Sequence, residues 1–369
     1  MRIAQIAPLA ESVPPKFYGG TERVVSYLTE ELVRQGHQVS LFASADSETS
    51  AELFPGCAQA LRLDPDAPDH LPYHILMLEQ VRRRADMFDV LHFHTDYLHF
   101  PMFRDLAGRS VTTMHGRQDL PYLAPIYASF TEYPIVSISD HQRRPVPLAR
   151  WAATVHHGLP HDLLGFAPHR RRDYLAFLGR ISPEKRPDRA IEIARRAGLP
   201  LKIAAKVDRV DRDYFETCIR PLFDPGFVEF IGEIGEHEKS DFLGGATALL
   251  FPIDWPEPFG LVMIEAMTCG TPVIAWRRGS VPEIVAHGVT GFMVENVAEA
   301  VEAVGRAQLL QPEAVRAVAR ERFGAERMAR DYLALYQRLL DRPEAAAVPA
   351  MLPAANPAGA AAAAARKPA

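Results

Sequence analysis

The sequence contains few cysteines and no long apolar run. Its three cysteines, Cys57, Cys218 and Cys269, are far apart, and no Cys-x-x-Cys spacing of the metal-binding kind occurs. A disulfide framework is therefore not expected, and a reducing cytoplasm is the expected location. No stretch approaches the roughly 20 apolar residues of a membrane span, and the first residues lack the apolar core of a signal peptide. Any contact with a membrane would be peripheral.

Neither sign of charge dominates. The chain has 41 lysines and arginines and 46 aspartates and glutamates, a formal net charge of −5, and the two signs are interspersed. Nucleic acid is not expected as a partner, because its binding needs a strongly basic surface. The composition, with 48% apolar residues, is that of a globular protein. A length of 369 residues suits two α/β domains of roughly 150–200 residues each.

Strand-like and helix-like segments alternate along both halves of the chain, which predicts a parallel sheet in each half. Val24, Val25, Leu28 and Leu32 recur at helical spacing and predict a helix over residues 21–34. Further helices are predicted at 187–197, 261–268 and 325–340. Strands are predicted at 3–7, 38–43, 90–94, 110–115 and 135–139, and in the second half at 174–178, 201–205, 227–231, 248–251 and 272–275.

Composition also predicts the domain boundaries. A stretch of little periodicity between Gly158 and Arg172 suits a hinge, so the domains are expected at residues 1–165 and 166–324. The basic run from His169 to Arg172 is predicted to be a solvated surface. Residues 343–369 are rich in alanine and proline with few large apolar side chains, which predicts a disordered or weakly helical tail.

Candidate ligand-binding residues follow several predicted strands, because parallel α/β sheets bind ligands outside the carboxyl ends of their strands. Gly19 and Gly20 precede the first helix, where backbone N–H groups and the helix N-terminus favour an anion. A flexible turn is the alternative. The pattern is not the G-x-G-x-x-G of dinucleotide-binding proteins, which disfavours a nicotinamide oxidoreductase.

A second candidate lies after the strand predicted at 174–178. Arg180 and Lys185 are predicted to share a loop at the crevice, where two fixed cations could hold a diphosphate. A surface ion-pair loop is the alternative.

The segment from Glu257 to Glu265 is the third candidate. Pro258 and Gly260 hold the first carboxylate in a loop, and the following apolar helix carries Glu265. A buried acid needs a partner, and sugar hydroxyls are natural donors to it. The loop–helix junction also directs backbone N–H groups at the crevice. A structural glutamate in a salt bridge is the alternative.

Histidines supply the fourth candidate. His115 ends a predicted strand and could either hydrogen-bond a sugar hydroxyl or satisfy the strand end. His92 and His94 alternate along one strand and could form a metal site with His115, but no carboxylate or cysteine is clearly placed to complete it. Two Asp-x-Asp pairs are predicted to be solvated turn residues: Asp64 with Asp66, and Asp211 with Asp213.

In this order, the motifs resemble the retaining glycosyltransferases of family 4, the glycogen synthase and mannosyltransferase-like group. The resemblance extends to about residue 340 and implies the GT-B fold, with two Rossmann-like domains facing each other across a crevice. Phe323-Gly324 and the closing helix with Tyr332 and Tyr336 resemble the C-terminal segment that crosses back and completes the first domain. The other motifs that carry it are Tyr18-Gly-Gly-Thr-Glu22, Thr113-Met-His-Gly116, Ser137-Ile-Ser-Asp140, Gly179-Arg180 with Glu184-Lys185, and the E-x7-E segment ending at Glu265.

The resemblance also implies roles for individual residues. Arg180 and Lys185 neutralise the donor diphosphate, and the Gly19-Gly20 loop approaches it through the backbone of Gly20. Glu257 contacts the transferred sugar, with His115 beside it. The remaining implied contacts are Glu265 to the ribose, the backbone of Phe259, Gly260 and Leu261 to sugar and phosphate, and Lys206 and the backbone near Ile234 to the nucleotide. No metal ion and no cofactor are expected.

The implied function is transfer of a hexosyl group from a UDP- or GDP-sugar, with retention, to an unidentified glycan, lipid or small-molecule acceptor. The acceptor is expected to be bound mainly by loops of the first domain, which carry no recognisable code. A glycoside phosphorylase or a nucleotide-sugar epimerase would keep the same fold, and a sugar-nucleotide-binding protein without activity is the alternative from another class.

Overall fold

The computed structural model describes residues 1–17, 19–169 and 172–341, which form two parallel sheets. The predicted tail at 343–369 lies outside the described residues, as do Tyr18, Arg170 and Arg171. Within the described ranges, no helix is both long enough and apolar enough to cross a bilayer.

The first sheet has seven strands in the described part of the chain, in the order β3-β2-β1-β4-β5-β6-β7, with all neighbours parallel. Helix α1 covers it with Val24, Val25, Leu28 and Leu32 buried, as their spacing predicts. Its elements are β1 (Arg2–Ile6), α1 (Gly20–Arg34), β2 (Gln38–Ser44), β3 (Glu52–Cys57), α2 (Leu71–Arg83), β4 (Val90–Phe93), β5 (Ser110–Thr113), α3 (Leu123–Ser129), β6 (Ile135–Ser137) and β7 (Trp151–Thr154).

The second sheet has six strands among the described residues, in the order β10-β9-β8-β11-β12-β13, again all parallel. Its elements are β8 (Tyr174–Arg180), α4 (Pro187–Ala197), β9 (Leu201–Lys206), α5 (Arg212–Tyr214), β10 (Val228–Gly232), α6 (Glu236–Gly244), β11 (Ala246–Phe251), α7 (Leu261–Thr268), β12 (Val273–Trp276), α8 (Val281–Ile284), β13 (Gly291–Val294), α9 (Val297–Ala307) and α10 (Pro312–Phe323). The two Rossmann-like halves of the GT-B fold are thus confirmed.

Two local predictions are wrong. Arg180 does not lie on a loop but ends β8, because it continues the parallel pairing with β9 opposite Lys206. Arg172 is not a solvated member of the basic run. Its guanidinium donates to the carbonyl oxygens of Gly270, at 2.8 Å, and Cys269, at 3.3 Å, and so ties the start of the second half to the end of α7.

The chain passes between the halves at two adjacent points. Leu159 N–H donates to the Phe323 carbonyl at 2.8 Å, and Ala325 N–H donates to the Leu159 carbonyl at 2.9 Å. Gly158 permits this approach, because a Cβ atom there would lie 2.4 Å from the Gly324 carbonyl oxygen. The last helix, α11 (Ala325–Leu340), then returns to the first half and packs against α1.

The order of the strands in each sheet indicates where the crevice between the halves lies. In each sheet the order reverses beside the first strand, between β1 and β4 and between β8 and β11. At such switch points the connections leave to opposite faces and open a crevice outside the strand ends. The three cysteines, Cys57, Cys218 and Cys269, are free thiols in the structure.

Candidate functional site

A cavity of about 600 Å³ lies between the two halves. It opens where β1 and β5 end on one side and where β8, β9 and β11 end on the other. The structure brings together every position for which a role was predicted from the sequence: Gly19, Gly20, His115, Arg180, Lys185, Lys206, Ile234, Glu257, Phe259, Gly260, Leu261 and Glu265.

Glu257 and Lys185 form an ion pair at the edge of this cavity. The Trp255 indole N–H donates to the same carboxylate at 3.0 Å, and the Lys185 ammonium lies 4.9 Å from the Trp255 ring centroid. Glu257 is 9% exposed, so its carboxylate depends on these donors. The predicted sugar-binding acid and the predicted phosphate-binding lysine therefore fix each other's position.

The loop that carries Glu257 is held from behind by residues that the sequence did not indicate. The backbone of Gly279, with φ +55°, lies so close to Glu257 that a Cβ atom would be 2.3 Å from its nitrogen. Ser280 donates from its N–H to the Glu257 carbonyl at 2.9 Å and from its hydroxyl to the Phe259 carbonyl at 2.8 Å. These contacts orient the N-terminus of α7 towards the cavity.

Arg180 is surrounded by carboxylates. It hydrogen-bonds Glu184 and lies 3.5 Å from Asp208 and 3.9 Å from Asp211. Lys206 also pairs with Asp208, at 2.8 Å. Asp211 is therefore not the solvated turn residue that the sequence predicted. By contrast, Asp64 accepts from the backbone N–H of Asp66 at 3.0 Å, as in a turn.

Glu265 has a cationic partner that sequence reasoning missed. Lys239 on α6 lies 2.7 Å from the Glu265 carboxylate and 3.5 Å from Glu236, and Arg23 of the first half pairs with Glu236. Burial lowers the pKa of Lys239, although Glu265 opposes the shift. The salt-bridge alternative predicted for Glu265 is therefore realised. Lys239 follows no motif that would have distinguished it from a surface lysine.

A chain of hydrogen bonds leads from His115 into the first half. His115 Nε2 lies 2.9 Å from His94 Nδ1, and His94 Nε2 lies 2.8 Å from the Gln5 side-chain oxygen. That oxygen can only accept, so His94 carries its proton on Nε2 and accepts through Nδ1. His115 must then donate from Nε2. Its Nδ1 atom is buried, has no hydrogen-bond partner among the described residues, and is left as an acceptor.

The chain continues to α11. Gln5 lies 3.4 Å from the Tyr336 hydroxyl, which lies 2.7 Å from His92. His92 contacts Thr113 at 2.7 Å, and Thr113 contacts the Tyr332 hydroxyl at 2.9 Å. The C-terminal helix thus completes a polar network under the cavity.

These histidines are neutral. Burial lowers the pKa of His115 to about 3 and holds those of His92, His94 and His157 well below their usual value. The ring nitrogens of His92 and His94 bond to Tyr336, Thr113, His115 and Gln5 instead of converging on one point. Among the described residues no group of three or more histidine, cysteine, aspartate or glutamate side chains could hold a metal ion.

Direct contacts hold the two halves together beside the cavity. The Ser139 hydroxyl donates to the Pro258 carbonyl at 2.6 Å. The Glu283 carboxylate accepts from the N–H groups of Asp140 and His141, both at 2.8 Å, and lies 3.1 Å from His156 Nε2. Burial opposes the ionisation of Glu283, but these hydrogen bonds outweigh it and lower its pKa.

Two family profiles match successive parts of the chain. Residues 18–191 match Glycosyltransferase Family 4, and residues 167–322 match Glycosyl transferases group 1. The chain belongs to the family 4 glycosyltransferases. The resemblance noted from the sequence motifs is confirmed.

Among curated proteins, this family 4 member is similar to the D-inositol 3-phosphate glycosyltransferase of Frankia alni. The two are 33% identical over 134 residues, which are 33% of this chain and 33% of that protein. The chain spans about a third of the length of this protein and of other D-inositol 3-phosphate glycosyltransferases that it matches.

Solved structures match the family 4 member over nearly its whole length. A glycosyltransferase involved in avilamycin A biosynthesis superposes with a TM-score of 0.74 at 25% identity, covering 92% of this chain and 98% of that one. The Anabaena protein HepE, in complex with UDP and glucose, gives a TM-score of 0.69 at 18% identity, covering 92% and 100%.

Proposed function

We propose that this chain is a retaining glycosyltransferase that moves a hexosyl group from a UDP- or GDP-sugar to an acceptor hydroxyl without a metal ion. One observation carries the proposal: Arg180, Lys185 and the N-terminus of α7 meet the Gly19-Gly20 loop across one cavity. Side-chain cations and helix N-termini together form a site for a diphosphate. The UDP and glucose bound by the structurally similar HepE support a nucleotide-sugar donor.

The reaction breaks the bond between the anomeric carbon and the diphosphate oxygen and forms a bond from that carbon to the acceptor oxygen. The acceptor proton passes to the leaving diphosphate on the same face of the sugar. Negative charge develops on the diphosphate, where Arg180 and Lys185 stabilise it, while Glu257 and His115 hold the sugar. Preorganised donors of this kind typically contribute about 3–4 kcal/mol each when tested by removal.

The nucleoside occupies the second half in this proposal. Glu265, fixed by Lys239, accepts from the ribose hydroxyls. Lys206 and the backbone at Ile234, which also line the cavity, contact the remainder of the nucleotide. The backbone N–H groups from Phe259 to Leu261 face the sugar and the phosphate.

A thermal-shift screen against UDP- and GDP-sugars, with NAD as a negative control, tests the donor. A ligand at 100 times its dissociation constant should stabilise the protein by about 2.7 kcal/mol. NMR of the product should then show the anomeric configuration of the donor, with turnover unchanged by EDTA. Inversion would exclude the mechanism, and donor turnover that requires inorganic phosphate or proceeds by epimerisation would exclude the transferase assignment.

A further inference from the structure

The first-half face of the cavity, formed by Glu11, Phe17, Glu22 and Arg62, takes no part in the donor site described above. Glu11 and Phe17 belong to the loop after β1, Glu22 to the first turn of α1, and Arg62 to the segment between β3 and α2. Three separate segments thus deliver polar and aromatic groups to one surface opposite the donor residues.

Two carboxyl groups on this face are buried with unused hydrogen-bonding capacity. Glu22 is 6% exposed, and among the described residues no other side chain hydrogen-bonds or pairs with it. Glu11 pairs with Arg62 through one oxygen, but its second oxygen is buried and has no hydrogen-bond partner in the described part of the chain. Buried carboxylates normally have partners, so both groups indicate a ligand that donates hydrogen bonds.

The arginines on this side of the cavity already form ion pairs with carboxylates of the protein. The only arginines or lysines of the first half that line the described cavity are Arg23 and Arg62, which pair with Glu236 and Glu11. The pKa of Arg62 is raised, mainly by its hydrogen bond to Glu11 and further by the charges of Glu233 and Asp208. Neither of these two arginines is therefore left over to pair with an incoming phosphate on this face.

The family resemblance already implies that the first domain binds the acceptor. We propose that this first-half face takes an uncharged, polyhydroxylated acceptor: a sugar or polyol without a phosphate or carboxylate group. This inference rests on the proposed function. It separates the chain from its Frankia relative, whose name specifies a phosphorylated inositol.

The chemistry of the face suits such an acceptor. Carboxylate oxygens at Glu11 and Glu22 accept from adjacent hydroxyls, while Phe17, 49% exposed, offers an aromatic surface to the apolar face of a sugar ring. Burial, with a smaller contribution from Glu11, raises the pKa of Glu22 to about 7. A neutral ligand leaves this balance unchanged, whereas an anion beside Glu22 would disfavour its carboxylate form further.

The test uses the full chain, the donor found by thermal shift, and acceptors in matched pairs. Each pair is a neutral compound and its phosphate ester, such as myo-inositol with inositol 3-phosphate and glucose with glucose 6-phosphate. We expect kcat/KM at least about tenfold higher for the neutral member of a pair. Glu22→Gln and Glu22→Ala should raise the acceptor KM about tenfold. Glu48→Gln, at an exposed position of the same half, is the control, and a retained nucleotide-induced thermal shift reports intact folding.

The outcomes are distinguishable. If no donor is turned over with any acceptor, the proposed function fails and this inference falls with it. If transfer occurs but phosphorylated acceptors are used as well as neutral ones, or neutral ones are not used, only the inference is overturned. The same holds if both Glu22 variants keep the wild-type acceptor KM, or if glucosamine is preferred to glucose, which would indicate a cationic acceptor.

Discussion

Arg180 and Lys185 share their positive charge with carboxylates at the cavity edge, so a ligand diphosphate would have to compete for them. We nevertheless expect Arg180→Ala or Lys185→Ala to lower turnover at least ~100-fold, because each removes a fixed donor to the leaving group. Arg277→Ala, which removes a half-exposed arginine paired with Glu295, should leave turnover unchanged. Steady-state kinetics measures turnover, and circular dichroism checks that each variant is folded. Near-normal turnover in both cavity variants would contradict the roles assigned to Arg180 and Lys185.

The tautomer of His115 is a second residue-scale prediction. Because His94 must accept through Nδ1, ¹⁵N NMR should find His115 protonated on Nε2 and unprotonated on Nδ1. His94→Leu removes the acceptor and should lower kcat about tenfold, a loss of roughly 1.4 kcal/mol. His94→Asn offers an oxygen near the Nδ1 position and should recover most of this loss, which a general packing defect would not allow. A protonated Nδ1 on His115 would refute the proposed direction of the network.

Helix α8 links the halves beside the cavity through the carboxylate of Glu283, in addition to the hydrogen bond from Ser139 to Pro258. Glu283→Ala leaves the N–H groups of Asp140 and His141 without their acceptor and should loosen the approach of the two halves. Small-angle X-ray scattering should then show a larger radius of gyration, and the donor KM should rise. Glu299→Ala, on the exposed face of α9, is the matched control. An unchanged scattering profile would show that other contacts suffice.

The pH dependence of this link has a defined sign. Hydrogen bonds lower the pKa of Glu283 below its usual 4.5, so the stability it contributes is present above that value. It is lost as pH falls through the lowered pKa in the folded protein.

The elements were predictable where local sequence determines them. The buried strands β1, β2 and β9 and helices α4, α7 and α11 agree with prediction within about two residues, because period and apolar content suffice. Strand β3 was missed, since Pro55 and Gly56 interrupt its pattern and it lies at the sheet edge.

The motifs predicted which residues line the cavity between the halves. They did not predict which side chains these residues contact. Lys239 meets Glu265, and His94 meets His115, only through packing between separate elements. Arg180 was assigned to a loop because the end of β8 depends on pairing with β9.

Within the described part of the chain, at least five histidines are held neutral by burial, and they couple the stability of the protein to pH. The pKa values of His92, His94, His99, His115 and His157 all lie below their unfolded value of 6.5. Below pH 6.5 the unfolded chain binds protons that the folded chain cannot, so stability is lost as pH falls. Each histidine contributes up to about 1.4 kcal/mol per pH unit.

Urea unfolding between pH 7.5 and 5.5 measures this slope. The rings of His99 and Phe93 stack with their centroids 3.7 Å apart, so His99→Phe should reduce the slope by the contribution of one histidine. His169→Gln, at an exposed position, is the control and should leave the slope unchanged. A stability that is independent of pH across this interval would contradict the prediction.

The double crossing at Leu159 and Gly324 makes the second sheet an insertion in the first domain, with its entry and exit side by side. Excising residues 160–323 would leave two chain ends already in contact, so a short linker could rejoin them without stretching the rest. The corresponding segment of another family member could be exchanged as a cassette. If the second half carries the donor site as proposed, we expect such an exchange to transfer the donor preference and to leave the acceptor preference with the first half.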